Sequence, residues 1–332
     1  MPADSRLARA VADCFRHNSI TTAGRHLVRC GSLTLQLQFA EQDLAKLLLP
    51  SFVAARATAP DMTVAVAAAG LIDLSHLVPE PIDKPRLLIG EEIYASWQPG
   101  PHGILSILDF RSKTAVVWLE DGGIPAWVAS RPLLPLVHAL TVHTPWTAVH
   151  GGCVGRSGRC LLLAGKGKSG KTTAVLACAS ASWDYAGDDY VFVNTMTGLI
   201  EPLYATARMR TAAEGVFPDL LPASNALSDE TGELRHELRL GSFFGDRIRG
   251  GHLAAILLPR RRGTAFPEFA PARRSDAFAA LLPNTTIGLP GWPDRVAAKV
   301  AALIDLAPVY FVDTGQNPAA IPAAFSAFLD RV

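Results

Sequence analysis

Charge is scarce in this chain. Asp, Glu, Lys and Arg make up 18% of its 332 residues, and 31 basic against 30 acidic residues leave a net charge of +1. That balance offers no general electrostatic basis for binding nucleic acid or an anionic membrane surface, and neither partner is expected. Cysteine is sparse as well. Cys14, Cys30, Cys153, Cys160 and Cys178 are odd in number and include no Cys-x-x-Cys pair, which speaks against a disulfide scaffold and a cysteine zinc site. They read as small buried apolar side chains in a reducing, cytoplasmic setting. The apolar run of a signal peptide is missing, because Asp4, Arg6, Arg9 and Asp13 interrupt the first residues. The uncharged stretch 132–155 holds three histidines, three prolines and a Gly-Gly pair. It reads as a buried helix followed by a strand rather than a membrane span. No internal repeat or low-complexity tract is evident.

What is abundant is apolar. Hydrophobic residues make up 49% of the chain, enough for a sizeable core, and the length suits about two domains. The first third reads mostly as β. Leu33, Leu35, Leu37 and Phe39 alternate with Thr34, Gln36 and Gln38, the period of a half-buried strand. A short helix over 41–49 ends ahead of Pro50, and further strands are expected at 62–68, 94–98, 103–110 and 114–119. No catalytic constellation occurs there, so residues 1–130 are expected to form a β-rich accessory domain.

Beyond residue 131 helices and strands mix. Helices are expected at 133–142, 172–181, 275–282, 293–306 and 319–329. Strands are expected at 148–155, 160–164, 183–185, 190–194, 199–209, 253–258 and 309–312. The stretch 217–251 is mixed in charge and broken by Gly and Pro, and is expected to be a long lid or substrate loop.

One motif carries chemistry on its face. Gly165-Lys166-Gly167-Lys168-Ser169-Gly170-Lys171-Thr172 fits G-x-x-x-x-G-K-[ST] at every fixed position. It follows an apolar strand and opens a helix, the setting in which backbone N–H groups converge on phosphate oxygens and the helix dipole favours anions. Lys171 is placed to reach the β- and γ-phosphates and the Thr172 hydroxyl to ligate Mg²⁺. Thr173 completes the expected nucleotide-binding set. If Ser157-Gly158 are the two turn residues of a hairpin, Arg156 faces Arg159 and His150 faces Gly165, which sets an imidazole at the mouth of the site. Longer turns shift that pairing, and a histidine without a role is the alternative. One helix and one strand after the loop come Asp188-Asp189. Phosphoryl transfer needs a carboxylate for the metal and a base for the attacking hydroxyl, and adjacent aspartates at a strand end can divide those tasks.

Over 149–193 the chain resembles the HPr kinase/phosphorylase family, distant relatives of phosphoenolpyruvate carboxykinase. A histidine, a strand-turn-strand, the loop, a helix and a strand ending in Asp-Asp recur in that order. His150 precedes Lys171 by 21 residues, and Asp188 and Asp189 follow it by 17 and 18. The resemblance implies an α/β phosphate-loop kinase domain over 131–332, with ATP and Mg²⁺ as cofactors. It implies Lys171 on phosphate, Thr172 on Mg²⁺, one Asp as proton acceptor and His150 supporting it. Asp189 is preferred as the base and Asp188 as support of the metal, the reverse remaining open. A further Mg²⁺-binding glutamate of the family falls at Glu214 by raw spacing, with Glu201 competing. The family's catalytic arginine matches no single position. Arg208, Arg210, Arg247, Arg249 and Arg260-Arg261-Arg262 are the candidates.

The family's Glu-x-Arg-Gly motif and its Pro-Val-Arg-x-Gly-Arg segment are missing. The chain therefore looks closer to stand-alone HPr-kinase-like proteins encoded with peptide-modifying enzymes, including lasso-peptide kinases, than to the bifunctional regulator. The expected function is transfer of the γ-phosphoryl group of ATP to a serine hydroxyl of a peptide or protein, such as the C-terminal serine of a lasso precursor. A kinase of a small alcohol (a sugar or amino acid) and a non-catalytic nucleotide-binding regulator are the alternatives. GTP or pyrophosphate as donor stays open. An oligomer is implied by the same analogy.

Overall fold

The computed structural model describes residues 3–16, 24–55, 59–70, 72–78, 83–100, 102–124, 126–228 and 233–332. The chain divides into two units, Met1–Leu140 with Leu289–Gly291, and Thr141–Gly288 with Trp292–Val332. Helices and several sheets alternate, giving a mixed α/β architecture. Among the described residues no helix is long and apolar enough to cross a membrane.

In the first unit the order is α1 (Ala3–Arg16), β1 (Arg25–Cys30), β2 (Leu33–Phe39), α2 (Gln42–Leu48), β3 (Val53–Ala54), β4 (Met62–Ala68), β5 (Arg86–Ile89), β6 (Ile93–Gln98), β7 (Ile104–Asp109), β8 (Thr114–Leu119), α3 (Ala126–Ala129) and α4 (Leu134–Thr141). The strands form one sheet in the order β3-β1-β2-β4-β8-β7-β6-β5, with β2, β4 and β8 mutually parallel and the other pairs antiparallel. Leu7, Val11 and Cys14 recur at helical spacing on α1 and pack with Trp97, Ile107, Val116 and Trp118 of the sheet. The buried Trp118 indole N–H donates to the Ile72 carbonyl at 2.7 Å, the partner such a group needs. Five elements go beyond those expected from the pattern, α1, β1, β3, β5 and α3. Charged residues interrupt α1 and β1; β3 and α3 are only two and four residues long; β5 begins on an arginine.

In the second unit the order is β9 (Trp146–His150), β10 (Gly152–Arg156), β11 (Arg159–Leu163), α5 (Lys171–Ser180), β12 (Asp184–Gly187), β13 (Tyr190–Asn194), β14 (Leu199–Pro202), β15 (Thr206–Arg210), β16 (Ser224–Ser228), β17 (Leu234–Arg239), α6 (Gly241–Phe244), β18 (Gly251–Arg260), β19 (Glu268–Pro271), α7 (Arg274–Gly288), α8 (Pro293–Asp305), β20 (Val309–Asp313) and α9 (Ile321–Leu329). The main sheet runs β12-β10-β11-β18-β14-β13-β9, with β20 beside the second half of β18 and β19 beside β20. Strands β11, β18 and β20 are parallel, so their carboxyl ends and the loops that follow lie at one edge. All five cysteines are free and buried.

Two expectations are corrected here. The apolar run 148–155 is not one strand. It breaks at Gly151, whose N–H donates to the Asp189 carbonyl at 3.0 Å and where an added Cβ would meet the Leu163 carbonyl oxygen at 2.8 Å. Before the break β9 pairs with β13, and after it β10 pairs with β11 and β12. The described part of 217–251 is not an irregular loop either. Strands β16 and β17 pair antiparallel, and β15 joins them in a three-stranded sheet. The signal is masked because β17 alternates Leu234, His236 and Leu238 with Arg235, Glu237 and Arg239, which reads as mixed charge. Gly232, within that stretch, lies outside the described residues.

Candidate active site

The glycine-rich loop 165–170 joins β11, buried apart from its first residue, to α5. Gly170 takes φ +106° just before the helix, a conformation that favours glycine. No side chain caps the helix and no acidic residue sits in its first turn. Its first N–H groups therefore keep the partial positive charge that attracts an anion. The Ser169 hydroxyl is buried in the loop with no partner among the described residues. Lys171 is 8% exposed and turns its Nζ onto the loop itself, donating to the Gly165 carbonyl at 2.7 Å and the Lys166 carbonyl at 3.1 Å. Burial lowers its pKa below the ordinary lysine range, while Asp188 and then Asp189 oppose that shift.

The acidic pair forms the turn from β12 to β13. Asp189 has φ +72°, an uncommon conformation for a non-glycine residue that is tolerated best by Asn and Asp. The Tyr190 N–H donates to the Asp188 carbonyl at 3.0 Å and tightens the turn. The two carboxylates are thereby sent to different partners. The Thr172 hydroxyl lies 3.0 Å from both oxygens of Asp188, and the Arg208 N–H donates to one of them at 3.3 Å. Asp188 is 4% exposed. Burial, and then the charge of Asp189, raise its pKa above the ordinary carboxyl range against the pull of Thr172, Arg208 and Lys171. The Asp189 carboxylate instead meets His150 Nε2 at 3.1 Å, and both side chains are about one-fifth exposed.

The pairing of His150 with the loop is corrected. The hairpin does place Arg156 opposite Arg159, but His150 belongs to β9 and sits opposite Tyr190, not Gly165. The break at Gly151 is the cause. The imidazole packs edge-on against Tyr190 with centroids 5.4 Å apart, and the His150 N–H donates to the Thr285 hydroxyl of α7 at 3.0 Å. A contact across two strands thus brings His150 to Asp189, where a hairpin register cannot.

A cleft of about 440 Å³ joins these groups. His150, residues 167–173, Asp188 and Asp189 line it, and so do Arg208, Arg210, Arg235 and Arg261. On the three-stranded sheet Arg210 stands directly opposite Arg235. Glu233 bonds Arg210, lies 3.4 Å from Arg235 and reaches Lys168 of the glycine-rich loop at 3.9 Å. Sequence reasoning offered Arg208, Arg210 and Arg261 among several arginines, and Arg235 lies in the stretch 217–251 expected to act as a lid or substrate loop. Side chains on adjacent strands of a sheet invisible in the pattern bring three of the four together. Arg247 instead donates to the Ala179 carbonyl at 2.6 Å, and Arg249 pairs with Asp184 at 2.8 Å.

Glu214 does not line the cleft. Its carboxylate meets His236 Nε2 at 2.6 Å, and His236 Nδ1 lies 3.0 Å from the Ser224 hydroxyl. Glu201, on β14 opposite Phe192, does not line it either. Among the described residues no cluster of three His, Cys, Asp or Glu side chains forms a self-contained metal cage. The pair of oxygens from Thr172 and Asp188 suits a different arrangement. Mg²⁺ commonly takes one or two protein oxygens and completes its shell with substrate phosphates and water. A buried carboxylate whose charge is disfavoured by its surroundings is a fitting partner for such a cation.

No protein-family model matches the chain, and no curated protein matches it. Among solved structures, the HPr(Ser) kinase/phosphatase from Coxiella burnetii is similar over 56% of this chain and 95% of its own, at 8% sequence identity and a TM-score of 0.29. A likeness that weak transfers neither fold nor activity to this chain.

Proposed function

We propose that the cleft transfers the γ-phosphoryl group of ATP to the hydroxyl of an acceptor, a serine of a peptide or protein. The observation that carries this reading is the division of labour within one turn. Asp188 engages Thr172 at the start of α5, while its neighbour Asp189 engages His150 and faces the same cleft. A loop-and-helix start built to bind phosphate and a carboxylate free of that duty are the two parts a hydroxyl kinase needs.

In this mechanism the loop N–H groups and Lys171 hold the phosphates, and Lys171 exchanges its two loop carbonyls for phosphate oxygens. Thr172 and Asp188 fit Mg²⁺, which when bound neutralises charge on the phosphates. Asp189 accepts the proton of the attacking hydroxyl as the new O–P bond forms and the bond to the leaving ADP oxygen breaks. His150 orients the Asp189 carboxylate. Arg208, Arg210 and Arg235 line the same cleft and supply positive charge where negative charge spreads in the transition state. The missing Glu-x-Arg-Gly and Pro-Val-Arg-x-Gly-Arg segments favour a stand-alone kinase over a bifunctional regulator, and the acceptor proposed is the C-terminal serine of a lasso precursor peptide.

The test is transfer from γ-labelled ATP to serine peptides, read by mass spectrometry of the product. Asp189→Asn is expected to lower transfer by about 10²–10⁴ while ATP and Mg²⁺ still bind. Full transfer in that variant removes Asp189 as the base. Full transfer in Asp188→Asn as well ends the kinase reading of the turn.

A further inference from the structure

Arg210 and Arg235 stand directly opposite each other on β15 and β17, and like charges so placed repel. A single carboxylate bridges them. Glu233 Oε1 accepts from Arg210 Nε at 2.6 Å and from a terminal nitrogen of the same guanidinium, and its Oε2 lies 3.4 Å from Arg235. Lys168 of the glycine-rich loop reaches that second oxygen at 3.9 Å. The hydrogen bond from Arg210, followed by the charges of Arg210, Lys168 and Arg235, keeps the Glu233 carboxyl below its ordinary range. Three cations that line the cleft thus spend their charge on a carboxylate that does not line it.

The next position along the same face is built differently. Arg208 stands opposite Glu237 inside the ladder, and Glu237 is 3% exposed. That carboxylate is fixed by its strand. Glu233 precedes the first residue of β17, so its side chain can turn away without breaking a rung of the sheet. The side chains of Glu233, Arg235 and Arg210 are 27%, 29% and 40% exposed, within reach of a ligand from solvent. The arginine pair is therefore a two-oxygen site at the cleft, and its occupant is a displaceable part of the chain itself.

We propose that Arg210 and Arg235 recognise a free carboxylate of the acceptor, carried beside the hydroxyl that receives the phosphoryl group, and that this carboxylate displaces Glu233; the proposal rests on the kinase reading of the cleft. The present occupant shows the chemistry. Each of its oxygens takes one arginine, and guanidinium groups match the plane of a carboxylate. Phosphates have other donors in this cleft, the loop N–H groups and Lys171. In a terminal serine only the α- and β-carbons separate the hydroxyl oxygen from the carboxylate carbon. A carboxylate held by Arg210 and Arg235, with Lys168 of the glycine-rich loop beside it, therefore keeps the hydroxyl in the same cleft as the phosphates. The three cations outnumber one carboxylate, so positive charge remains for the transferring phosphate. A serine inside a chain carries no such group.

Two peptides ending in serine, one with a free carboxylate and one with a terminal amide, test this on the unaltered chain with ATP and Mg²⁺. The free acid is expected to show a KM at least about tenfold lower, the scale of a lost hydrogen bond to a charged group, with kcat little changed. Glu233→Gln removes the competing charge and is expected to lower that KM about two- to fivefold further, leaving the amide and ATP unchanged. Arg235→Gln is expected to bring the two peptides to the same KM. Equal KM values in the unaltered chain overturn the inference and leave the kinase reading intact. So does a preference for the acid that survives Arg235→Gln. A Glu233→Gln variant that tightens ATP instead of the acid gives the pair to the donor's phosphates and overturns it as well. Transfer to neither peptide overturns the kinase reading. NMR titration of the two peptides without nucleotide then decides the carboxylate site by itself: acid-selective binding that Arg235→Gln abolishes supports it, and unselective or absent binding overturns it.

Discussion

The two units bury different kinds of polar residue. Among the described residues, those buried in the first unit are Thr34, Gln38, Ser51, Ser96, Ser106, Ser130 and His138. The second unit buries threonines as well, at Thr141, Thr147, Thr195, Thr206, Thr285 and Thr314, and with them the charged Lys171, Asp184, Asp188, Glu237 and Asp313. Taking a charge out of water costs several kcal/mol unless partners compensate, so a fold built only for stability avoids it. In the second unit Lys171 and Asp188 line the cleft, Asp313 accepts from the Arg262 and Gly315 N–H groups in the loops after β18 and β20, and Asp184 is held by Arg249. Parallel pairing does not make this difference, since β2, β4 and β8 of the first unit are parallel as β11, β18 and β20 of the second are. The lesson is that the burial of charge marks the region where chemistry is to be sought.

The sharpest way to break this contrast is at Lys171. Lys171→Ala is expected to lower turnover by about 10²–10³ through lost transition-state charge. The fold should persist, since burial already disfavours the lysine's charge. Transfer assays beside thermal melts decide it, and near-normal turnover would remove Lys171 from the site. In the first unit the corresponding probe is packing. Ile107 is fully buried among Trp97, Leu105, Val116 and Trp118, and Ile107→Ala is expected to cost about 2–5 kcal/mol in denaturant unfolding. Nucleotide affinity of the folded fraction should not change; if it falls with stability, the two kinds of buried residue do not separate by function.

The smallest effect sharpens the comparison from the other side. Because burial holds Asp188 above the ordinary carboxyl range, the folded chain binds its proton more readily than the unfolded chain does. Asp188 therefore costs nothing below the ordinary value and lowers stability as pH rises from that value through the raised one. Without nucleotide or Mg²⁺, Asp188→Asn is expected to raise the melting temperature at neutral pH, by about 2–4 °C for each kcal/mol regained in a unit of this size. The gain should vanish in acid. A variant less stable at neutral pH would mean that the Thr172 and Arg208 contacts outweigh the cost of burial.

Elements whose pattern is local were legible in advance. The strand before the glycine-rich loop and the helix after it were expected at 160–164 and 172–181 and occur at Arg159–Leu163 and Lys171–Ser180. Alternation announced β2, and apolar runs announced β4, β6, β7 and β8, to within a residue or two. The strand β17 was not legible, because its polar face alternates Arg235, Glu237 and Arg239 and looks like a charged loop until β15 and β16 pair with it. The helix α1 was missed because Asp4, Arg6, Arg9 and Asp13 break up its apolar residues along the sequence, although Leu7, Val11 and Cys14 fall on one face.

By itself the sequence determined the glycine-rich loop, the helix start behind it and the adjacent aspartates, because these depend on backbone freedom and neighbours a few residues away. Only the tertiary structure decided what each side chain meets. Gly151 and Gly152 permit close approaches that a Cβ would block, and there the chain leaves one strand pair for another. That switch carries His150 to Asp189 and leaves Asp188 to Thr172. The arginines of the cleft likewise come together only through pairing between segments tens of residues apart, and long-range register is the information a local pattern does not contain.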